Sequence, residues 1–200
     1  MTDDLLRRIA DALDRLAPAD AAHDDLRAAS AYVWDGRGVR AVARFVPADY
    51  DLLYGIDAQK NSLLENSLRH AAGHPAHDVL LWGARGTGKS ACVGAVVGKI
   101  KANGSDLALV QCGSDALVSL PALFELLGKE KRRFILFIDD LGFEDAGGDA
   151  RMLRSLLDGG ANARPANVRL YVTSHRRHIV PRFLSEQDDP INPRDVVDDR

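Results

Sequence analysis

Eight residues constrain this chain more than any others. Gly83-Ala84-Arg85-Gly86-Thr87-Gly88-Lys89-Ser90 follow a short apolar run, Val79-Leu80-Leu81-Trp82, and lead into a helical segment that Asn103-Gly104 stops after Ala102. The glycines let successive backbone N–H groups turn inward as an anion nest, and the following helix, with Ala91 in its first turn, adds its N-terminal dipole. Lys89 supplies a point charge for phosphate oxygens, and Ser90 a hydroxyl suited to Mg²⁺. The spacing fits G-x-x-x-x-G-K-[ST] without a mismatch. The competing reading is a glycine-rich connector, but a strand before the loop and a helix after it are the context that phosphate binding requires.

The rest of the chain supplies a sheet for this loop to stand on. Asp57 to about His70 reads as a helix with Leu63, Leu64 and Leu68 inward and Gly73 as its stop. Leu107–Val110, Phe134–Ile138 and Val168–Thr173 read as further strands, and Pro121 fits the first turn of a helix holding Leu123, Leu126 and Leu127. Another helix is expected over 149–157. Phe134–Ile138 is continuously apolar, as in a strand covered on both faces. This alternation predicts a three-layer α/β fold, a parallel sheet with helices on both faces. Ahead of it, 3–17 and 21–32 read as helices and Val39–Val46 as a strand. The expected division is therefore an N-terminal appendage at 1–48, a nucleotide-binding core at 49–185 and an acidic, flexible tail at 186–200.

Composition excludes several classes. A net charge of −3 gives no global pull toward nucleic acid or acidic lipid. No apolar run reaches the ~20 residues of a membrane span. Met1-Thr2-Asp3-Asp4 lacks a signal-peptide layout, which predicts a cytoplasmic protein. Cys92 and Cys112 sit in apolar runs and read as reduced core cysteines.

Phe134 to Ile138 ends in Asp139-Asp140. An apolar strand delivers Asp139 at its C-terminal edge, where open α/β sheets bind ligands. Asp139 is the candidate to hold Mg²⁺, through water, and Asp140 the candidate to polarise an attacking water. Val168–Thr173 runs out into Ser174-His175. With the strands in the order second, third, fourth, first, that end lies between the loop and Asp139. There a polar side chain either touches the γ-phosphate or lytic water, or is a simple polar exit. His175 and His178 are spaced like two metal ligands on a helix, with no third nearby. Tyr54 and Ile56 either cover a nucleotide base or pack in the core. Arg132-Arg133 and Arg176-Arg177 read as solvated pairs, with phosphate or partner contact as the other possibility.

Together these residues resemble the AAA+ branch of P-loop ATPases. Gly55-Ile56-Asp57 with Gln59 looks like the segment ahead of that family's first strand. Gly83–Ser90 looks like its Walker A loop, Ile138-Asp139-Asp140 its Walker B strand and Thr173-Ser174-His175 its sensor 1 region. Leu53–Asp57, Val79–Ser90, Gly159-Gly160, Arg164-Pro165 and Arg176-Arg177-His178 also resemble an uncharacterised bacterial family known as a domain of unknown function. The resemblance covers about 48–194 and implies ATP, Mg²⁺ and a RecA-like core. Sensor 1 is usually Asn where this chain has His175. The resemblance also implies a helical lid, a fifth strand and an arginine finger beyond Arg200, so turnover by this chain alone is expected to be weak.

The leading functional reading is an ATPase whose cycle switches a conformation or remodels a macromolecule, as a homo-oligomer in its full-length form. The alternatives are a nucleotide-dependent binding module with little hydrolysis, a small-molecule kinase, and a DNA-associated loader or helper. Nothing here names the target, and nucleic-acid contact stays open.

Overall fold

Along Phe134–Ile138 successive side chains enter two different apolar clusters: Phe134, Leu136 and Ile138 one, Ile135 and Phe137 the other. A strand's side chains alternate between faces, so these are the two covered faces of one sheet. The computed structural model describes residues 23–141 and 164–175. The expected helices over 3–17 and 149–157, the tail from 186, and Arg176, Arg177 and His178 lie outside them.

The strands are β1 (Ala31–Trp34), β2 (Val39–Ala41), β3 (Val79–Trp82), β4 (Leu107–Cys112), β5 (Arg133–Ile138) and β6 (Val168–Ser174), in the order β2-β1-β4-β5-β6-β3. Every neighbouring pair is parallel except β1 with β2. The expected inner order therefore holds, with β6 between β5 and the strand that carries the loop. Helices α1 (Asp57–Ala71) and α2 (Lys89–Ala102) cover one face through Leu63, Val93, Val96 and Ile100. Helix α3 (Leu120–Gly128) covers the other through Leu120, Leu123 and Leu127. The α/β expectation, a parallel sheet between helical layers, is met.

Three expectations are corrected. The helix over 21–32 does not form where it was expected to end, because Ala31–Trp34 is strand β1, paired in parallel with β4. Tyr32 and Trp34 are buried there, and their burial in the sheet outweighs the helix preference of the alanines before them. The described part of 1–48 is thus built into the main sheet rather than appended to it. Arg132, expected on the surface, is only 5% exposed. Its Nη1 donates to the Leu26 and Ala29 carbonyls at 2.6 and 2.7 Å, tying that N-terminal segment to the start of β5.

Helix α1 supplies the third correction. Its buried face carries Lys60, Leu63, Ser67 and His70, while Leu68 is 42% exposed. Ser67 and Tyr171 share a 2.8 Å hydroxyl hydrogen bond, and His70 Nε2 donates to the Phe134 carbonyl at 3.0 Å. Polar groups thus occupy positions where periodicity looked for leucine, and the buried His70 Nδ1 has no hydrogen-bond partner there. Burial pushes the His70 imidazole down to about 4, assisted by the positive charges of Arg169 and Arg133 and opposed by the Phe134 hydrogen bond. An unfolded histidine titrates near 6.5. Below that pH the unfolded chain takes up a proton that the folded chain refuses, so stability falls as pH drops from about 6.5 toward 4. Denaturant titrations at pH 7.5 and 5 should show a loss of about 2 kcal/mol from this residue, and His70→Gln should remove that part of the slope.

The segment between β2 and α1 crosses the outer side of α2, with Pro47 against Gly94 and Gly98. A Cβ at Gly98 would meet Pro47 Cγ at 2.5 Å, whereas one at Gly94 would meet Pro47 Cβ at an ordinary 3.8 Å. Alanine in a helix interior is worth about 1 kcal/mol over glycine. Gly94→Ala should therefore raise Tm, and Gly98→Ala should lower it by displacing the crossing segment, at an overpacking cost of about 1–3 kcal/mol. Calorimetric melting of the two variants checks the opposite signs.

Candidate functional site

Trp82 ends β3, and the chain turns at Gly83, with φ +141°. Gly86 and Gly88 follow with φ of +78° and +84°, and a Cβ at either would meet nothing within 4 Å. It is the left-handed backbone rather than crowding that calls for glycine there. Gly88 caps the N-terminus of α2, which places Lys89 and Ser90 in its first turn. Lys89 Nζ donates to the Gly83 and Ala84 carbonyls, each at 2.7 Å, and Thr87 Oγ1 donates to Ala84 at 2.9 Å. Ala91 is exposed on the same turn.

Strand β5 delivers Asp139 opposite this loop. Ser90 Oγ donates to Asp139 Oδ1 at 2.5 Å, and Thr173 Oγ1, from β6, donates to the same oxygen at 2.6 Å. Thr173 Oγ1 also accepts from the Asp140 N–H at 2.7 Å, and the Thr173 carbonyl accepts from Leu141 N–H at 2.9 Å. One residue, 1% exposed, thus pins the whole turn after β5. The turn is unusual, since Asp140, with φ +52°, is the one non-glycine at positive φ among the described residues. Asp tolerates that region better than most residues.

Asp140 is held from two sides. His175 Nε2 lies 2.5 Å from Asp140 Oδ1, and Arg85 Nη2 lies 3.5 Å from Oδ2. Arg85 Nε is in turn 3.0 Å from His175 Nε2. Together Arg85 to Ser90, Asp139, Asp140, Thr173 and His175 line a cleft of about 320 Å³. A larger cavity of about 600 Å³ adjoins it at Thr87 and Lys89, lined by Ile56, Gln59, Leu63, Asn66, Leu80 and Leu81 among others. Ile56 therefore faces a cavity beside the loop. Tyr54 is 79% exposed and lines neither space, so core packing does not describe it.

The description "Protein of unknown function (DUF815)" belongs to a family whose model matches residues 27–200. This chain belongs to that family. No curated protein matches the DUF815 chain. Among solved structures, a point variant of Thermotoga maritima RuvB is 20% identical over 68% of this chain and 43% of its own, with a TM-score of 0.48. The Aeropyrum pernix Orc1 protein in complex with DNA is 13% identical over 72% of this chain and 47% of its own, with a TM-score of 0.48. Cdc6p from Pyrobaculum aerophilum is 17% identical over 68% and 43%, with a TM-score of 0.45. The DUF815 chain spans less than half the length of each of these proteins. In its own sheet β6 lies between β5 and β3, and the loop leaves the end of β3 to line the cleft.

Of the positions the sequence singled out for the phosphates and the metal, Gly83 to Ser90, Asp139, Asp140 and His175 fall on this one cleft or its loop, whereas Arg132 is buried against the N-terminal segment and Arg176, Arg177 and His178 lie outside the described residues. The sequence takes Thr173 only as part of the polar run that ends its strand and gives it no role of its own. The available signal was its register: it sits two residues after Tyr171, on the same face of a strand that is buried almost throughout. Cys92 and Cys112 are buried and unpaired, and burial pushes the Cys112 thiol up to about 12. Among the described residues no group of three His, Cys, Asp or Glu side chains is placed to hold a metal. No described helix is long and apolar enough to cross a membrane.

Proposed function

We propose that the DUF815 chain binds Mg²⁺-ATP in this cleft and hydrolyses it, using the cycle to switch its conformation against a macromolecular partner. The observation that carries this reading is the meeting, at the ends of β3, β5 and β6, of Lys89 and Ser90 with Asp139, Asp140 and Thr173. The donor set fits the group it would hold. A hydroxyl and a carboxylate oxygen already 2.5 Å apart, Ser90 and Asp139, are the hard oxygen ligands Mg²⁺ takes beside phosphate and water. When bound, the ion neutralises phosphate charge. The glycine-shaped loop presents its N–H groups to the β-phosphate and Lys89 reaches the β- and γ-phosphates.

Asp140 acts as the base. The attacking water forms a new bond to the γ-phosphorus, the bond to the bridging oxygen breaks with its electrons leaving on ADP, and the water's proton passes to the Asp140 carboxylate. His175, on the same carboxylate, orients that water in the place of a sensor residue. Ile56 shapes the base end, in the larger cavity. The same reading takes the working form to be a homo-oligomer in the cytoplasm. Calorimetric titration with ATP and with AMP, both with Mg²⁺, tests the binding claim: ATP should be clearly preferred, and equal affinity overturns it. Phosphate release with no acceptor added separates hydrolysis from a kinase reaction.

A further inference from the structure

Asp140 makes more contacts than a base waiting for water needs. Its Oδ1 faces His175 Nε2 at 2.5 Å, its Oδ2 faces Arg85 Nη2 at 3.5 Å, and Arg85 Nε faces that same imidazole nitrogen at 3.0 Å. One ring nitrogen cannot both donate to a carboxylate and accept from a guanidinium. With a carboxylate oxygen at 2.5 Å the proton sits on His175 Nε2, which donates to Asp140. Arg85 then has no acceptor on the ring and is held only by the longer contact to Oδ2. It is the loosest member of the trio, and its side chain is 81% exposed. It also springs from the loop whose neighbouring residues, Gly86 to Ser90, line the cleft floor.

We propose that Arg85 is a positioning residue that docks the Asp140 carboxylate beside His175 and exchanges that carboxylate for the γ-phosphate when a triphosphate binds. The proposal rests on the nucleotide reading above and adds its regulation. Asp140 is paired with a cation borne on the phosphate loop itself, and only a ligand with a γ-phosphate supplies the anion that draws this cation off. A diphosphate leaves Arg85 on Asp140. Guanidinium pairs with phosphate at least as well as with carboxylate, because its donor fork matches both. The exchange therefore costs little in wild type, but not nothing.

The test is a double-mutant cycle on nucleotide affinity, using wild type, Arg85→Ala, Asp140→Asn and the double variant, each titrated with Mg²⁺-ATP and Mg²⁺-ADP. In the Arg85 background, Asp140→Asn should tighten ATP by about fivefold, the upper end of what an exposed ion pair contributes. In the Arg85→Ala background the same change should alter ATP affinity by less than about twofold, since no competing pair is left to break. For ADP the two substitutions should show no coupling, Asp140→Asn changing affinity by the same factor in both backgrounds. Both side chains are at least half exposed, so the variants should melt with wild type. An equal effect of Asp140→Asn on ATP in the two backgrounds, or the same coupling for ADP, overturns the exchange while leaving the nucleotide site standing. Failure of wild type to bind ATP overturns both.

Discussion

Lys89→Ala is expected to weaken Mg²⁺-ATP binding by about a hundredfold while leaving the affinity for AMP where it was. The magnitude follows from the position of the ammonium at the start of α2, between the loop and the cleft, where it adds to the helix dipole on the same phosphate oxygens. Hydrogen bonds from a charged group contribute about 1.5–3 kcal/mol, and a hundredfold is about 2.7. AMP offers no β- or γ-phosphate for the ammonium to meet, so it serves as the internal control. The two 2.7 Å bonds to the Gly83 and Ala84 carbonyls give Lys89 a second role in shaping the loop. Melting curves separate the two: a phosphate role leaves Tm close to wild type, whereas a collapsed loop would lower ATP and AMP affinity together. Equal ATP affinity for wild type and variant would sink the phosphate assignment.

The adjacent aspartates should separate metal from chemistry. Asp140→Asn removes the proton acceptor yet keeps a residue that tolerates φ near +52° and still donates its N–H to Thr173. Turnover should fall by about 10²- to 10⁴-fold, the usual worth of a positioned general base, with ATP affinity retained or tightened. Asp139→Ala removes the oxygen on which Ser90 and Thr173 both converge. Binding should then lose its dependence on Mg²⁺, and titrations with and without the ion should coincide. An Asp140→Asn protein that hydrolyses ATP at the wild-type rate would remove Asp140 from the mechanism.

The strand alternation, the loop and the acidic pair were legible because each is a local pattern with a local cause. Phe134–Ile138 is apolar throughout because it is flanked by strands and covered on both faces, and Gly86 and Gly88 are glycine because their φ demands it. What escaped was set by partners distant in the chain. Ala31–Trp34 became a strand because β4 accepts it, and Arg132 went inside because the Leu26 and Ala29 carbonyls wait there. Ser67 and His70 took core positions on α1 where the Tyr171 hydroxyl and the Phe134 carbonyl each give them a hydrogen bond. Thr173 became central only once β6 was seated beside β5, where its hydroxyl meets both Asp139 and Asp140.

The cleft joins two parts of unequal depth. The phosphate loop hangs from β3, which closes the described sheet and is only partly buried, whereas the acidic pair hangs from β5, buried and paired on both sides. Openings of the native structure are drawn from the least supported segments, so the loop side breathes at a lower free energy than the aspartate side. A nucleotide that touches both ends raises the threshold of the weaker one by mass action. Its binding energy is then spent largely on ordering one wall of its own site, and the wall that tightens is the end of the sheet, where any further element of a longer chain or a neighbouring molecule would feel it.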